Sequence, residues 1–122
     1  MVIVPDFLIK RIYQKGSLKK LDDGASLNLK NVLGPGFISG FNYVKINDVV
    51  YNPEAVRFIT NGQEIAGTDV SEENPIAFRL GQVGTLIMSG RSGVVEGTNK
   101  IVIEVMNPEA GVVRLTVDDN VW

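Results

Sequence analysis

Glycine and proline interrupt this sequence so often that it predicts no long helix. The 13 glycines and 5 prolines of the 122 residues recur at short intervals along the chain. The segments between them are short and rich in Val, Ile, Phe and Tyr, a pattern that indicates many strands joined by tight turns. No stretch has a helical period long enough to cover a parallel sheet, so the pattern excludes an α/β fold.

The number and spacing of the segments predict an all-β fold. Alternation of residues between two faces is clearest in residues 101–106 and 112–117. Together with the earlier segments they give eight or nine short strands, at the spacing of an antiparallel β-sandwich. A closed barrel is the alternative. Because the chain shows no internal repeat, linker or low-complexity tract, we expect residues 1–122 to form a single domain.

Turn residues place several of the strand ends. Leu21-Asp22-Asp23-Gly24 and Asn61-Gly62 are typical of hairpin turns, because Asp-Gly and Asn-Gly supply the positive φ that tight turns require. Residues 11–18 ahead of the first turn are predicted to form the first strand. Pro5-Asp6, which precedes residues 7–10, is compatible with one or two helical turns or with an extended arm.

The absence of two residue types excludes much of enzyme chemistry. The chain has no His and no Cys, so a nucleophile activated by a His base, a disulfide, and thiolate or imidazole metal sites are all excluded. Ser17 and Lys19 share a strand face, but two polar residues at that spacing are usually the solvent-facing side of a strand. We predict no catalytic residue, no metal and no cofactor.

Carboxylates occur in three adjacent pairs, which a glycosidase would need to bring to one substrate. The pairs are Asp22-Asp23, Glu72-Glu73 and Asp118-Asp119. Neighbours in a strand point to opposite faces, and all three pairs lie in predicted turns or at strand ends, so a structural role is favoured. A small carbohydrate-active enzyme would instead need two carboxylates from different strands in one cleft.

Charge and hydropathy bear on partners and compartment. The 12 basic and 14 acidic residues give a net charge of -2, and no basic run suits nucleic acid. No apolar run approaches the roughly 20 residues of a membrane span. The first residues do not have the pattern of a signal peptide, which favours a cytoplasmic protein.

Aromatic residues mark the segment 37–46. Phe37, Phe41 and Tyr43 fall on one face of a regular strand there, while Val44 and Ile46 fall on the other. Either the aromatic face is core, or one face packs the core and the other contacts a partner protein or a second copy. Aromatic residues are enriched at interface centres, and the mean hydropathy of +0.11 leaves spare apolar surface. Phe37, Phe41 and Tyr43 are therefore the candidate partner-binding residues.

Five short motifs follow one another over most of the chain and resemble the small β-subunit family of bacterial C-glycoside deglycosidases. They are Gly16-Ser-Leu-Lys19, Leu29-Lys-Asn31, Val44-Lys-Ile-Asn-Asp48, Pro75-Ile-Ala-Phe78, and Gly97 leading into Ile101-Val-Ile-Glu104. The resemblance implies a β-sandwich bound to a larger, sugar-isomerase-like barrel that holds the metal and most catalytic groups. It transfers no catalytic residue to this chain, and Thr98-Asn99, assigned to a loop, stands where relatives are expected to have a His.

These observations favour a non-catalytic accessory or interaction subunit, paired with a larger enzyme or self-associated. The alternatives are the small carbohydrate-active enzyme and a module that binds a sugar or another small molecule on aromatic rings in a groove.

Overall fold

The computed structural model describes residues 5–34 and 36–122, and most of their regular structure is antiparallel strand. One short helix, α1 (Asp6–Ile9), precedes the strands, and 3₁₀ turns lie at Lys10–Ile12, Pro53–Ala55 and Gly67–Asp69. The strands of the described residues are β1 (Lys19–Leu21), β2 (Gly24–Lys30), β3 (Phe37–Ile38), β4 (Gly40–Ile46), β5 (Val49–Tyr51), β6 (Val56–Thr60), β7 (Gln63–Ala66), β8 (Ile76–Ala77), β9 (Val83–Ser89), β10 (Gly97–Asn107) and β11 (Gly111–Val121).

The strands form two main sheets. One has five strands in the order β1-β2-β9-β6-β7, the other has four in the order β11-β10-β4-β5, and β3 pairs with β8 separately. All these pairings are antiparallel. The predicted antiparallel sandwich is confirmed, and the described strands do not close into a barrel. They outnumber the eight or nine expected, partly because the segment 37–46 forms two strands.

Two predicted turns are confirmed, and a further turn at Asn47-Asp48 joins β4 to β5. Asp22-Asp23 joins β1 to β2. Asn61-Gly62 joins β6 to β7 with φ of 52° and 75°. Two successive positive φ angles give the backbone twist that suits a two-residue hairpin, which is why Asn-Gly occurs there.

The start of the described chain only partly matches the prediction. The helical turn is confirmed as α1, but the strand predicted at residues 11–18 is wrong, because Tyr13 makes only an isolated bridge to Leu29. Gly16 has a φ of +85°, a left-handed conformation that ends an extended segment. Pairing in the five-stranded sheet therefore begins at Lys19.

The hydrophobic core lies between the two main sheets, and Phe58 of β6 is at its centre. The Phe58 ring is fully buried, with its centroid 5.7 Å from that of Phe41 and 5.5 Å from that of Phe78. Gly84 of β9 faces the same ring, and a Cβ there would lie 2.0 Å from Phe58 Cζ. The glycine therefore makes room for the largest of the fully buried side chains.

Candidate interaction site

The structure separates the three aromatic residues that the sequence placed on one face. Tyr43 pairs with Glu104 and Phe41 with Val105, so Asn42 is an extra residue that forms a β-bulge. A bulge shifts the alternation of side chains by one residue. Phe41, 4% exposed, therefore lies in the core, whereas Tyr43 lies half-buried on the opposite face of β4.

The expectation of one aromatic face is therefore corrected. Phe37 lies on a separate strand, β3, and 51% of its surface is exposed. Phe41 packs against Phe58 and has no surface to offer a partner. Partner binding by Phe37 and Tyr43 stays a prediction, and the two side chains belong to different surfaces.

A cavity of about 320 Å³ opens at one end of the sandwich. It lies among the N-terminal helical turns, the loop that leads into β3, and the hairpin of β10 and β11. Most of the side chains that line it are apolar: Ile9, Ile12, Leu29, Leu33, Phe37, Ile38, Phe78, Ile103, Val105, Ala110, Val113 and Leu115. The sequence pattern does not predict this cavity, although Phe37 was a candidate binding residue.

The side-chain amides of Asn31 and Asn107, which line the cavity, already hydrogen-bond to the backbone of the protein. Asn31 Nδ2 donates to the carbonyl oxygen of Phe78 at 2.6 Å, and its Oδ1 accepts from the Leu33 N–H at 3.0 Å. Asn107 Nδ2 donates to the carbonyl oxygen of Phe37 at 3.0 Å, and its Oδ1 accepts from two backbone N–H groups of the β10–β11 turn. The cavity therefore presents mainly carbon to an incoming group.

Carboxylate chemistry has little support at the cavity. Glu109 is the single acidic residue among the described residues that line it, whereas a glycosidase needs two. Residues 5–34 and 36–122 contain no cluster of three or more acidic side chains that could hold a metal ion.

Within the part of the chain that the structure describes, none of the helices has the length and apolar character of a membrane-spanning helix.

A buried Tyr–Asp pair ties the beginning of the described chain to β11. The Tyr13 hydroxyl donates to Asp119 Oδ2, which also accepts from the Gly16 N–H at 2.8 Å. Asp119 Oδ1 accepts from the Asn120 N–H at 2.9 Å. Both side chains are buried, at 7% and 3% exposure. These hydrogen bonds connect two elements that are distant in the sequence.

Burial and hydrogen bonding shift the two acidities in opposite directions. Burial and the bond to Asp119 raise the pKa of the Tyr13 phenol well above its usual value. Burial alone would raise the pKa of Asp119, but hydrogen bonds from Tyr13 and the backbone outweigh it and hold that pKa below its usual value of 3.8. Asp119 is therefore ionised and Tyr13 neutral at pH 7.

We expect the Asp119 shift to appear in the acid dependence of stability. A carboxyl whose pKa is lower in the folded state stabilises the fold fully above its unfolded pKa, and this contribution is lost as the pH falls through the folded pKa. Wild-type protein should therefore lose stability below about pH 4, and Asp119→Asn should lose less over the same range. Urea unfolding at a series of pH values from neutral downward measures both. Equal acid slopes for the two proteins would contradict this assignment.

Tyr43 lies beside an ion pair on the outer face of the four-stranded sheet. Arg114 of β11 donates to Glu104 Oε1 of β10 through Nη2 at 2.8 Å, and Asn42 Nδ2 donates to Glu104 Oε2 at 2.8 Å. The Arg114 guanidinium, followed by the Asn42 amide, lowers the pKa of Glu104. The bulged Asn42 thus orients a charged pair on this face.

Thr98-Asn99 is not in the loop to which the sequence assigned it, because both residues belong to β10. Asn99 is completely buried, and its Oδ1 accepts from the Val95 N–H and from Asn47 Nδ2 at 2.8 and 2.9 Å. Its Nδ2 donates to the carbonyl oxygens of Val95 and Gly97. The Asn99 side chain therefore holds the loop that precedes β10 in place through hydrogen bonds, which is a structural role.

Residues 8–122 match the family described as the N-terminal domain of hydroxymethylglutaryl-CoA reductase. The chain belongs to this family. No curated protein matches it. The match includes the residues that line the cavity.

The resemblance to the small β-subunit of C-glycoside deglycosidases is therefore wrong. The motifs that suggested it are strand and turn sequences: Val44-Lys-Ile-Asn-Asp48, for example, is the end of β4 and the turn into β5. Such sequences report a strand followed by a hairpin, which many β-sandwiches share. The expectation of a sugar-isomerase-like partner, which came from that resemblance alone, therefore has no support.

Proposed function

We propose that this chain is a non-catalytic accessory domain that binds a larger protein, and that its apolar cavity receives apolar side chains of that partner. The observation that carries the proposal is the cavity itself, which lies at an open end of the sandwich and is lined mainly by carbon. Interfaces concentrate their binding energy where an anchor side chain fills such a pocket.

Exposed apolar side chains at the cavity support a protein partner. Phe37 is 51% exposed and Leu33 37% exposed, and both line the cavity. Large apolar side chains that stay exposed beside an apolar cavity are typical of an interaction surface. Because the neighbouring amides of Asn31 and Asn107 are already paired, recognition would rest on shape and apolar area.

The family indicates which partner to test. Its description places the domain within hydroxymethylglutaryl-CoA reductase, so we propose that the partner is a polypeptide bearing the catalytic part of such a reductase. The chain would support that catalytic part and perform no reaction itself. The lack of His and Cys and of a carboxylate pair at the cavity is consistent with this role.

Phe37→Ser should weaken binding to this partner by about tenfold or more, the effect of losing an aromatic hot spot. The measurement is isothermal titration of the chain with the catalytic polypeptide of the reductase from the same genome. Phe7→Ser is the matched control, because Phe7 is 70% exposed but does not line the cavity.

Two results would overturn the proposal. One is a wild-type chain that does not bind the catalytic polypeptide. The other is a purified chain that reduces hydroxymethylglutaryl-CoA on its own. If neither phenylalanine variant weakens binding, the interface lies elsewhere on the domain and the cavity has no part in it.

A second candidate function is the binding of a small apolar molecule. The cavity volume of about 320 Å³ is at the lower end of the range of ligand pockets. Its carbon lining favours a hydrocarbon over a sugar, whose hydroxyl groups would find few free partners. Octanoate and glucose, compared by thermal shift, distinguish the two: stabilisation by octanoate supports this function, and stabilisation by neither contradicts it.

A further inference from the structure

Strand β11 (Gly111–Val121) forms an open edge of the four-stranded sheet. Among the described strands it pairs with β10 alone. Helix α1 and the 3₁₀ turn at Lys10–Ile12 also pack near β11. The hydrogen bonds from Tyr13 and Gly16 go to the side chain of Asp119, and residues 5–17 make no backbone hydrogen bond to this strand, so its outer backbone groups stay available. An edge strand presents a row of N–H and C=O groups that can pair with another strand.

We propose that this edge binds a second copy of the chain. The two β11 strands pair antiparallel about a two-fold axis at Thr116 and join the two four-stranded sheets into one continuous sheet. Antiparallel pairing of one strand with its own copy satisfies the self-complementarity that a two-fold interface requires. This interface runs along the backbone edge of β11, whose Val113 and Leu115 also line the cavity. The inference goes beyond the accessory function proposed above, because it assigns a second copy of the chain to that edge.

Length and charge select the same register. Thr116 is the middle residue of β11, so a two-fold axis there pairs the whole strand with its copy. The same register places Arg114 opposite Asp118 of the second copy, and Asp118 opposite Arg114 of the second copy. All these side chains lie on the outer face, and Arg114 and Asp118 are exposed. Opposite charges directly across a strand pair stabilise it.

The alternation of charge across the dimer extends into strand β10 of each copy. Within one copy Arg114 faces Glu104 of β10, and Asp118 faces Lys100 of β10. In the proposed sheet, Glu104, Arg114, Asp118 of the second copy and Lys100 of the second copy follow one another across four strands. Their charges alternate negative, positive, negative and positive, and the two-fold axis repeats this row in the opposite direction.

Neighbouring registers lose the opposite charges and part of the strand overlap. An axis at Leu115 places Arg114 opposite Thr116 of the second copy. An axis at Val117 places Asp118 opposite Thr116 of the second copy. An axis at Arg114 or at Asp118 brings two like charges together, which destabilises a strand pair. Each of these shifts also shortens the overlap of the two strands.

The inner face of the strand fits the same register. Leu115 lies opposite Val117 of the second copy, and the axis repeats this apolar contact. Both side chains already pack in or against the core. The contact therefore extends the apolar layer of each sandwich toward the other.

A single cysteine at Thr116 tests the register directly, because the chain has no cysteine of its own. Residues directly opposite in an antiparallel pair have Cα atoms about 4.5–5.5 Å apart, which is within the range of a disulfide. Oxidised Thr116→Cys should therefore form a covalent dimer in most of the protein. Val112→Cys is the matched control, since in this register it faces Asn120 of the second copy and lies far from its own copy.

Charge variants and light scattering complete the test. We expect the wild-type chain to be dimeric at micromolar concentration, and Asp118→Arg to shift it to monomer while Asp22→Arg, in the exposed β1–β2 turn, does not. Arg114→Asp combined with Asp118→Arg, Glu104→Lys and Lys100→Glu reverses the whole charge row, keeps every facing pair opposite in charge, and should restore the dimer. A monomeric wild-type chain, or crosslinking of Val112→Cys equal to that of Thr116→Cys, would overturn the inference. Loss of reductase binding with an intact dimer would overturn only the accessory function.

Discussion

Phe41→Ala will lower the free energy of unfolding by about 3–5 kcal/mol, the usual cost of deleting a buried Phe. The ring is 4% exposed, and its centroid lies 5.7 Å from that of Phe58, so alanine leaves a void beside the centre of the core. Neighbouring core side chains relax only partly into such a void, and the lost contacts are not replaced. Urea unfolding followed by circular dichroism measures the change.

Phe37→Ala is the matched control for this prediction. Phe37 lies on β3, the strand that precedes β4 in the chain, and is 51% exposed. Its removal should therefore change the free energy of unfolding by less than about 1 kcal/mol. If the two variants lose similar stability, the assignment of Phe41 to the core and of Phe37 to the surface is wrong.

Asp119→Ala will destabilise the protein by about 3 kcal/mol, because it removes the acceptor of two hydrogen bonds that tie the N-terminal segment to β11. The Tyr13 hydroxyl and the Gly16 N–H would lose their partner, and Tyr13 is only 7% exposed. Leaving a buried donor unsatisfied costs more than the net gain of an ordinary hydrogen bond. Thermal unfolding followed by calorimetry gives the size of the loss.

An aspartate far from this contact provides the control. Asp22 carries the same charge, but it lies in the exposed turn between β1 and β2. Asp22→Ala should change stability by no more than about 0.5 kcal/mol. Equal losses for the two alanine variants would show that removal of negative charge, rather than loss of the Tyr13 contact, is responsible.

Local sequence was sufficient to predict much of the fold. Asn61-Gly62 and Asp22-Asp23-Gly24 mark hairpins because their backbone requirements select a few residue types. Alternation in residues 101–106 and 112–117 is clear because one face of β10 and β11 meets the core and the other meets water. These features depend on residues that are close together in the chain.

The candidate site was harder to predict because it depends on a β-bulge and on a cavity between distant segments, and neither has a signal in the local sequence. The bulge at Asn42 adds one residue to β4 and sends Phe41 and Tyr43 to opposite faces, although no residue type there requires a bulge. The cavity brings together Ile9, Phe37 and Leu115, which are distant in the sequence. Periodicity reports which residues avoid water, but not which distant segments leave a gap between them.

The Tyr13–Asp119 hydrogen bond spans 106 positions of the chain, and this separation has a consequence for synthesis on the ribosome. Elongation proceeds at about 5–20 residues per second, so Tyr13 emerges several seconds before its acceptor exists. During that interval, the N-terminal helical turns and the loop at Gly16 have no β11 on which to dock. Chains stalled at Asn107 should therefore leave this N-terminal segment open to proteases, and emergence of β11 from the ribosome should protect it.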